Sequence, residues 1–317
     1  MSLTNTNRIL QLLVNIFYFN LFLALIWLLC FVFYLDELNL IRWVSYLSPF
    51  WAFFIIAEGL FFFIIKKNST SAICFILASC ILYPHLNISS LLELKDQSSF
   101  YKIMTYSKMG RNKRIDLVAN VLLKEKPDVF FLQEINVEET NELLFLIRDI
   151  YESEELYYDF DGRHGLVVSR FEVVSHVKKI NFFQKLKIIF PSQIVSVWNV
   201  HLPKAIVSNN FQHEMTNELI SQISALKGAK IIAGDFNSTV INYPYLEVKK
   251  YLNNAFEMAG NGFGFTFPTS ARNMGRVFAF LRIDHIFLSN DFKIHQSYVL
   301  GEFGGSDHFP VIAYVSL

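Results

Sequence analysis

The sequence predicts two regions: an all-α membrane anchor over residues 1–92 and an α/β domain over residues 93–317. Charge distribution points to this division first. Of 28 basic and 28 acidic residues, the first 92 positions hold only Arg8, Arg42, Lys66, Lys67, Asp36, Glu37 and Glu58. Long apolar runs fill that same stretch. Beyond it, short apolar runs alternate with segments of helical spacing, the pattern of strands and helices in an α/β domain.

Within the anchor, Leu13 to Leu35 contains no charge, enough to cross a ~30 Å hydrocarbon layer at ~1.5 Å per residue. Trp43 to Ile65 is equally apolar, interrupted only by Glu58. A third run begins near Ser71, is strongly apolar through Tyr83, and weakens toward residue 90. Three spans are therefore expected, over about 13–35, 43–65 and 71–90. A cleaved signal peptide has one short apolar core, which this repeated pattern lacks. Arg8 before the first span and Lys66-Lys67 after the second belong on the cytoplasmic side. The loop carrying Asp36 and Glu37 then lies outside, and so do residues 93–317 where the third run crosses; a re-entrant or interfacial third segment instead leaves them in the cytoplasm. Glu58 is expected to pair locally with Lys66 and Lys67 or to snorkel; Trp27, Trp43 and Trp51 are expected at interfaces or in packing. All three cysteines, Cys30, Cys74 and Cys80, fall in the anchor, so the α/β domain has neither a disulfide framework nor a Cys-based zinc site. That domain is nearly neutral and lacks the basic footprint of a general nucleic-acid binder.

After a polar linker over residues 93–100, Tyr101 to Ser107 reads as a strand. Arg114 to Lys126 has helical spacing at Ile115, Val118, Ala119 and Leu122, and Pro127 closes it. Asp128 to Glu134 is a buried strand, followed by a helix from Glu138 to Ile150. Further strands are expected at Gly165–Arg170, Ile194–His201 and Lys230–Asn237, the last two separated by a helix from about Asn209 to Leu226. Near the end, Arg282 to Ser289 is an apolar strand carrying Asp284, and Gly304 to Val311 places Asp307 beside His308 ahead of another apolar run.

Several of the most apolar strands thus end in polar residues: Glu134, His201, and Asp235 with Asn237. Strand ends on one side of a sheet converge, and the apolar bodies fix their positions. Alone, Asp235 in Gly-Asp-Phe-Asn is equally a turn former, and the lesser alternative for Glu134 is an acid ahead of a helix N-cap at Asn136. A Ser-Asp-His-Phe-Pro sequence at a strand entrance is costly in a core. It makes sense where Asp307 faces a cation, His308 faces a phosphate, and Asp284 fixes the tautomer of that histidine.

The set Leu132-Gln-Glu134, Asn199-Val-His-Leu202, Gly234-Asp-Phe-Asn237, Arg282-Ile-Asp-His285 and Gly305-Ser-Asp-His308 resembles the endonuclease/exonuclease/phosphatase superfamily. The motifs come in the family's order across about Ile103 to Val311. The resemblance implies a four-layer α/β/β/α sandwich, two packed mixed sheets flanked by helices. It also implies hydrolysis of a phosphate ester with Mg²⁺, or Mn²⁺ in its place. Glu134 is the implied principal metal ligand, with Asp307 close to the metal. Asp235 is implied to orient and deprotonate the attacking water, Asn237 to hold that water or a phosphate oxygen, and His308, supported by Asp284, to stabilise the phosphorane. His201 is implied as a second phosphate contact or as acid to the leaving group. Where the family has an asparagine at the end of its first strand, this chain has Ser107, a shorter metal ligand; Asn112 lies too far along to replace it. Arg163 and His164 stand where the family places substrate contacts, His285 is expected on the opposite strand face from Asp284, and the aromatic 260–280 stretch lines a pocket, touches a bilayer or packs inward.

The expected function is a membrane-anchored phosphoesterase, resembling membrane-bound bacterial members of the family, with its active domain outside the cytoplasmic membrane and a lipid-linked or lipid phosphate as substrate. A nuclease is the second reading, disfavoured by the near-neutral charge; a non-catalytic sensor domain of the same fold is the third, and Ser107 is its one hint.

Overall fold

The computed structural model describes residues 3–34, 39–89, 100–150, 155–162, 165–175, 182–205, 209–276 and 278–317. Asp36, Glu37, the linker residues 93–99, Arg163 and His164 lie outside them. The chain divides into two compact units, Met1–His85 and Leu86–Leu317.

The first unit contains three helices, α1 (Leu3–Tyr34), α2 (Asn39–Ile64) and α3 (Asn68–Leu82), and ends in a 3₁₀ turn over Tyr83–His85. Asn7–Val32 in α1 and Ile41–Ile64 in α2 are long and apolar enough to cross a membrane. On α1, Leu12, Ile16, Phe19, Phe22, Leu25 and Leu29 are all exposed, a surface that apolar surroundings would satisfy. The third apolar run remains helical only to Leu82, not to residue 90. Pro84 has no N–H to continue the i→i−4 ladder, so the α-helix gives way to the 3₁₀ turn over Tyr83–His85, and Asn87–Ile88 form a strand of the second unit. Glu58 is buried and accepts a hydrogen bond from Asn20 Nδ2 at 2.9 Å; Asn20 Oδ1 in turn accepts from Trp51 Nε1 at 2.9 Å. Its partner thus comes from α1 across the bundle rather than from the neighbouring lysines.

The second unit runs β1 (Asn87–Ile88), β2 (Tyr101–Ser107), α4 (Ile115–Glu125), β3 (Val129–Gln133), α5 (Val137–Leu146), β4 (Tyr157–Phe160), β5 (Gly165–Ser169), β6 (Val173–Ser175), β7 (Phe183–Ile189) and β8 (Ile194–His201). It continues through α6 (Asn209–Ala225), β9 (Lys230–Asp235), α7 (Tyr243–Lys249), β10 (Asn253–Asn254), α8 (Ala255–Ala259), β11 (Asn261–Gly262), β12 (Asp284–Leu288), β13 (Lys293–Val299) and β14 (Val311–Ser316). Two six-stranded mixed sheets result, ordered β13-β14-β2-β3-β5-β4 and β10-β12-β9-β8-β7-β6, with β1 and β11 as a separate pair. The central pairs β2/β3 and β8/β9 are parallel and the other neighbours antiparallel.

Strands buried on both faces read as continuous apolar runs, because successive side chains feed different layers. Ile103, Val129, Phe131 and Val167 of one sheet pack between the sheets with Val197, Ile231, Ala233 and Ile286 of the other. Their neighbours Met104, Phe130, Leu132 and Val168 turn outward onto Val118 and Leu122 of α4 and Leu143 of α5. On the other side Phe236, Tyr245 and Phe287 pack ring against ring. This is the expected sandwich of two mixed sheets flanked by helices. Lys108 is fully buried directly after β2, with its ammonium 2.8 Å from Glu139 of α5, so an ion pair fastens the β2–α4 loop to the second helix.

Candidate active site

The register between strands brings the site together. Asp235 is the Cα partner of His201 across the parallel β8/β9 pair and of Asp284 across the antiparallel β9/β12 pair. Residues directly opposite share a face, and Asp235 continues the inward row of Ile231 and Ala233. Three polar side chains therefore stand abreast where the inter-sheet core ends. From the other sheet, Ser107 and Gln133 are paired at the same end of β2/β3, and Glu134 follows.

Glu134 has a left-handed backbone (φ 59°), which turns its side chain away from the strand's alternation. Its Oε2 accepts the Gly110 N–H at 2.6 Å, and its Oε1 lies 3.7 Å from His201 Nε2. It is not the cap of α5: Asn136 does that, accepting Glu139 N at 2.9 Å while Glu139 Oε2 accepts Asn136 N. His201 Nε2 is also 3.8 Å from Asp235 Oδ2, so the histidine stands between one carboxylate from each sheet.

Asp235 is fully buried and accepts Asn237 N at 2.7 Å and Asn237 Nδ2 at 3.2 Å, while Asn237 Nδ2 also donates to Leu202 O. His308 Nδ1 is 2.8 Å from Asp284 Oδ2, which leaves Nε2 facing Asp235 Oδ2 at 3.8 Å and Asp307 Oδ1 at 4.0 Å. The His308 segment is fixed by Ser306, whose hydroxyl donates to Ser107 O at 2.6 Å and accepts His308 N at 3.0 Å. The preceding turn requires glycine: Gly304 has φ 52°, and a Cβ there would meet Tyr106 Oη at 2.9 Å.

Electrostatics follow from these distances. Burial pushes the Asp235 carboxyl up to about 7, helped by the nearby Asp284 and Glu134 charges and opposed by His308. Burial works against the charged imidazole of His308, but the carboxylates of Asp284, Asp235 and Asp307 outweigh it and push the pKa up to about 9. Glu134 is half-buried, which would raise its pKa. The Gly110 N–H and the positive charges of His201, Lys204 and His308 nevertheless hold it below the usual range.

A divalent cation fits the donors at the Glu134 end. Glu134, His201 and Asp235 offer ligand atoms within 4.8 Å of one another, and Ser107 Oγ is buried without a hydrogen-bond partner. A donor set dominated by oxygen suits a hard ion such as Mg²⁺. The second cluster, Asp235, Asp284 and His308, is accounted for by the Asp284–His308 hydrogen bond.

The other residues that the sequence singles out occupy definite positions. Asp307 stands at the pocket, but its Oδ2 is taken by Arg272 Nε at 2.7 Å and it belongs to neither ligand cluster. Asn112 ties the β2–α4 loop to Gly304 O at 2.9 Å through Nδ2, and its Oδ1 accepts Arg114 N at 3.0 Å. His285 faces the opposite side of β12 from Asp284, packed on Phe236 and Tyr245 with Nε2 2.9 Å from Ser238 O, and burial pushes its pKa down to about 3. In the 260–280 stretch Phe263 stacks on Phe265, Phe267 packs on the His308 ring, and Met274 and Phe278 are exposed.

Sequence reasoning missed a polar layer beneath the site. Gln133 Nε2 donates to Asn199 Oδ1 at 2.7 Å and to Thr105 Oγ1 at 3.1 Å, and Asn199 Nδ2 donates to Leu132 O at 2.9 Å. These bonds tie the sheets together directly under Glu134 and His201. The available signal was period-two: Thr105, Gln133 and Asn199 each continue an inward apolar row. Arg272 carried no signal beyond its charge.

A model described as Endonuclease/Exonuclease/phosphatase family matches residues 86–308. A family member from Bacteroides vulgatus superposes with a TM-score of 0.56 at 17% identity, over 69% of this chain and 100% of its own. The mannosyl-6-phosphatase of Bacteroides thetaiotaomicron gives 0.54 at 17% identity, over 68% and 100%. D. rerio TDP2 in complex with a single-strand DNA product gives 0.53 at 16% identity, over 69% and 100%. Comparison with curated protein sequences finds no match.

Proposed function

We propose a specific reaction for this chain, which belongs to the endonuclease/exonuclease/phosphatase family: metal-assisted hydrolysis of a lipid-linked phosphate ester or diphosphate by water. Members of the family are metal-dependent phosphoesterases and nucleases, so the chain is a hydrolase acting on ester bonds. The hydrolytic mechanism is supported above all by the register that stands His201, Asp235 and Asp284 abreast under His308, and the lipid-linked substrate by the apolar helices of the first unit alone.

Glu134 and Ser107 would hold Mg²⁺ or Mn²⁺, with His201 and Asp235 offering donors within 4.8 Å of the Glu134 carboxylate; Asp307, outside that cluster, would stand near the metal through the oxygen that does not bind Arg272. Such an ion, when bound, offsets the negative charge of the phosphate oxygens and stabilises the leaving oxygen. Asp235 accepts the proton of the attacking water as its oxygen bonds to phosphorus and the ester bond breaks. A carboxyl displaced toward neutrality by burial suits that role. Asn237 holds Asp235 and orients the water. His308, kept cationic by Asp284, donates through Nε2 to the phosphoryl oxygen where charge grows. His201 contacts the phosphate or protonates the leaving oxygen.

This assignment sets the pH profile. kcat/KM should rise as Asp235 ionises near 7 and fall as His308 deprotonates near 9; a bound cation moves both limbs to lower pH. Asp284→Asn removes the carboxylate that holds His308 cationic, so the falling limb should move down by about one to three pH units. A falling limb that stays in place would remove His308 from the mechanism.

Membrane attachment is supported by the length and exposed apolar surface of α1 and α2. α3 with its 3₁₀ turn reaches about 28 Å at ~1.5 and ~2.0 Å per residue, close to a hydrocarbon thickness. A third crossing there would place residues 86–317 outside the cytoplasmic membrane, and a reporter fused after Leu317 that is active only on that side tests it. Attachment concentrates the enzyme on the surface that holds a lipid substrate. The test of function is the purified full-length protein assayed on phosphorylated lipids, soluble phosphate esters and plasmid DNA. Phosphate release from lipid substrates is expected, lost on chelation and restored by Mg²⁺. Plasmid nicking with a steep salt dependence, and no lipid turnover, would instead make it a nuclease.

A further inference from the structure

Arg272 lies on the loop between β11 and β12, within the aromatic 260–280 stretch and outside the five family motifs. That loop is bound to the segment carrying Asp307 and His308: Thr269 N donates to Asp307 O at 2.9 Å, the Thr269 hydroxyl donates to Ser306 O, and Phe309 N donates to Thr266 O at 2.8 Å. Arg272 N then turns back onto Thr269 O at 3.0 Å, and Gly275 N onto Arg272 O at 3.0 Å. From this mount the guanidinium makes one polar contact among the described residues, Nε to Asp307 Oδ2 at 2.7 Å. Among the described residues, Nη1 and Nη2 have no acceptor.

The pair is lopsided. The Asp307 side chain is 5% exposed and that of Arg272 is 44% exposed. The acid lies beside the His308 imidazole, its other oxygen 4.0 Å from Nε2, and the guanidinium is the solvent-facing member of the pair. A half-exposed pair held through Nε alone adds little stability. It does fix the plane of a permanently charged fork whose outer N–H donors remain unused, the arrangement that phosphate oxygens match.

We propose, resting on the phosphoesterase reading above, that Arg272 is a substrate-binding residue that selects a terminal phosphoryl group, as in a phosphomonoester or diphosphate, over an internal diester. A terminal group has three non-bridging oxygens and can carry two negative charges; an internal diester has two oxygens and one charge. His308, His201 and the metal ligands serve the oxygens above the cluster. The further oxygen, and the further charge, go to the guanidinium at the rim. Asp307 is then the residue that aims Arg272.

The test uses the full-length protein in detergent with Mg²⁺, comparing Arg272→Ala and Arg272→Lys with wild type on p-nitrophenyl phosphate and bis(p-nitrophenyl) phosphate. Arg272→Ala should lower the preference for the monoester, as a ratio of kcat/KM values, by about 10- to 100-fold. Arg272→Lys keeps the charge without the fork and should fall between. Equal losses on both esters, or no loss, would overturn the proposal. A binding measurement stands apart from turnover: inorganic phosphate should raise the thermal midpoint of the wild type and not that of Arg272→Ala. Equal protection of the two proteins overturns the role of Arg272. Protection of the wild type alone, with neither these esters nor any phosphorylated lipid hydrolysed, would support Arg272 as a phosphate ligand while removing the hydrolytic reading.

Discussion

Asp235→Asn should lower kcat by about 10³-fold, within the range that general bases supply, and leave the fold intact. The side chain is fully buried beneath His201 and His308, its shape is preserved by asparagine, and the Asn237 N–H can still donate to its carbonyl oxygen. What disappears is the ability to take a proton. The expected signature is therefore a near-total loss of metal-dependent phosphate release with an unchanged circular-dichroism spectrum and a melting midpoint close to wild type. Folding does not depend on this charge: burial displaces the carboxyl upward, so its ionised form opposes the folded state as pH rises through about 7. A variant that retained a tenth of wild-type kcat would require another base, and the register argument that singled out Asp235 would fall with it.

Gly234→Ala should do the reverse, removing the enzyme by removing the fold. Gly234 has φ 152°, and a Cβ added there would lie 1.9 Å from Val200 O and 2.7 Å from Val200 C in the neighbouring strand. Those are backbone atoms of β8, so no side-chain rotation relieves the overlap. To admit the methyl group, β8 must separate from β9 at the very pair that holds His201 beside Asp235. We expect a loss of roughly 3–5 kcal/mol, the scale of severe single-site defects with a named steric cause, read as a lower denaturation midpoint or as protein recovered only in aggregates. Soluble Gly234→Ala protein that melts with the wild type would mean that the two strands are not packed as closely as described.

Much of the candidate site was legible because its residues sit where a strand stops being apolar. Glu134, His201 and Asp235 each end a run that has no reason to carry charge, and His308 with Asp307 opens another. The Asp284–His308 partnership could be anticipated because a histidine in a phosphate site needs its tautomer fixed. Less visible were the residues whose role depends on a partner from another strand. Gln133 and Asn199 look like ordinary polar interruptions until β3 and β8 face one another, and their bond spans 66 positions of sequence. Asp307 read as a metal neighbour, yet one of its oxygens is occupied by Arg272, 35 positions away on a loop without periodicity. Strands β4, β6 and β7 escaped notice because they are short or interleaved with lysines such as Lys185 and Lys187, being partly exposed. The apolar run past Tyr83 suggested a longer helix, whereas the α-helix stops at Leu82, a 3₁₀ turn follows over Tyr83–His85, and Asn87, already part of the second unit, donates to Phe256 O and Gly260 O.

The amino-acid order by itself determined the apolar N-terminal helices, the central strands of the sandwich, and the acids and histidines at their ends, since each of these is a local pattern of burial along the chain. Which of those groups touch, which nitrogen of His308 faces the pocket, and what holds Asp307 were decided only by tertiary structure. Proton affinity and ligand geometry depend on distances of 3–4 Å between residues that strand pairing and loop docking bring together, and linear spacing carries no record of such distances.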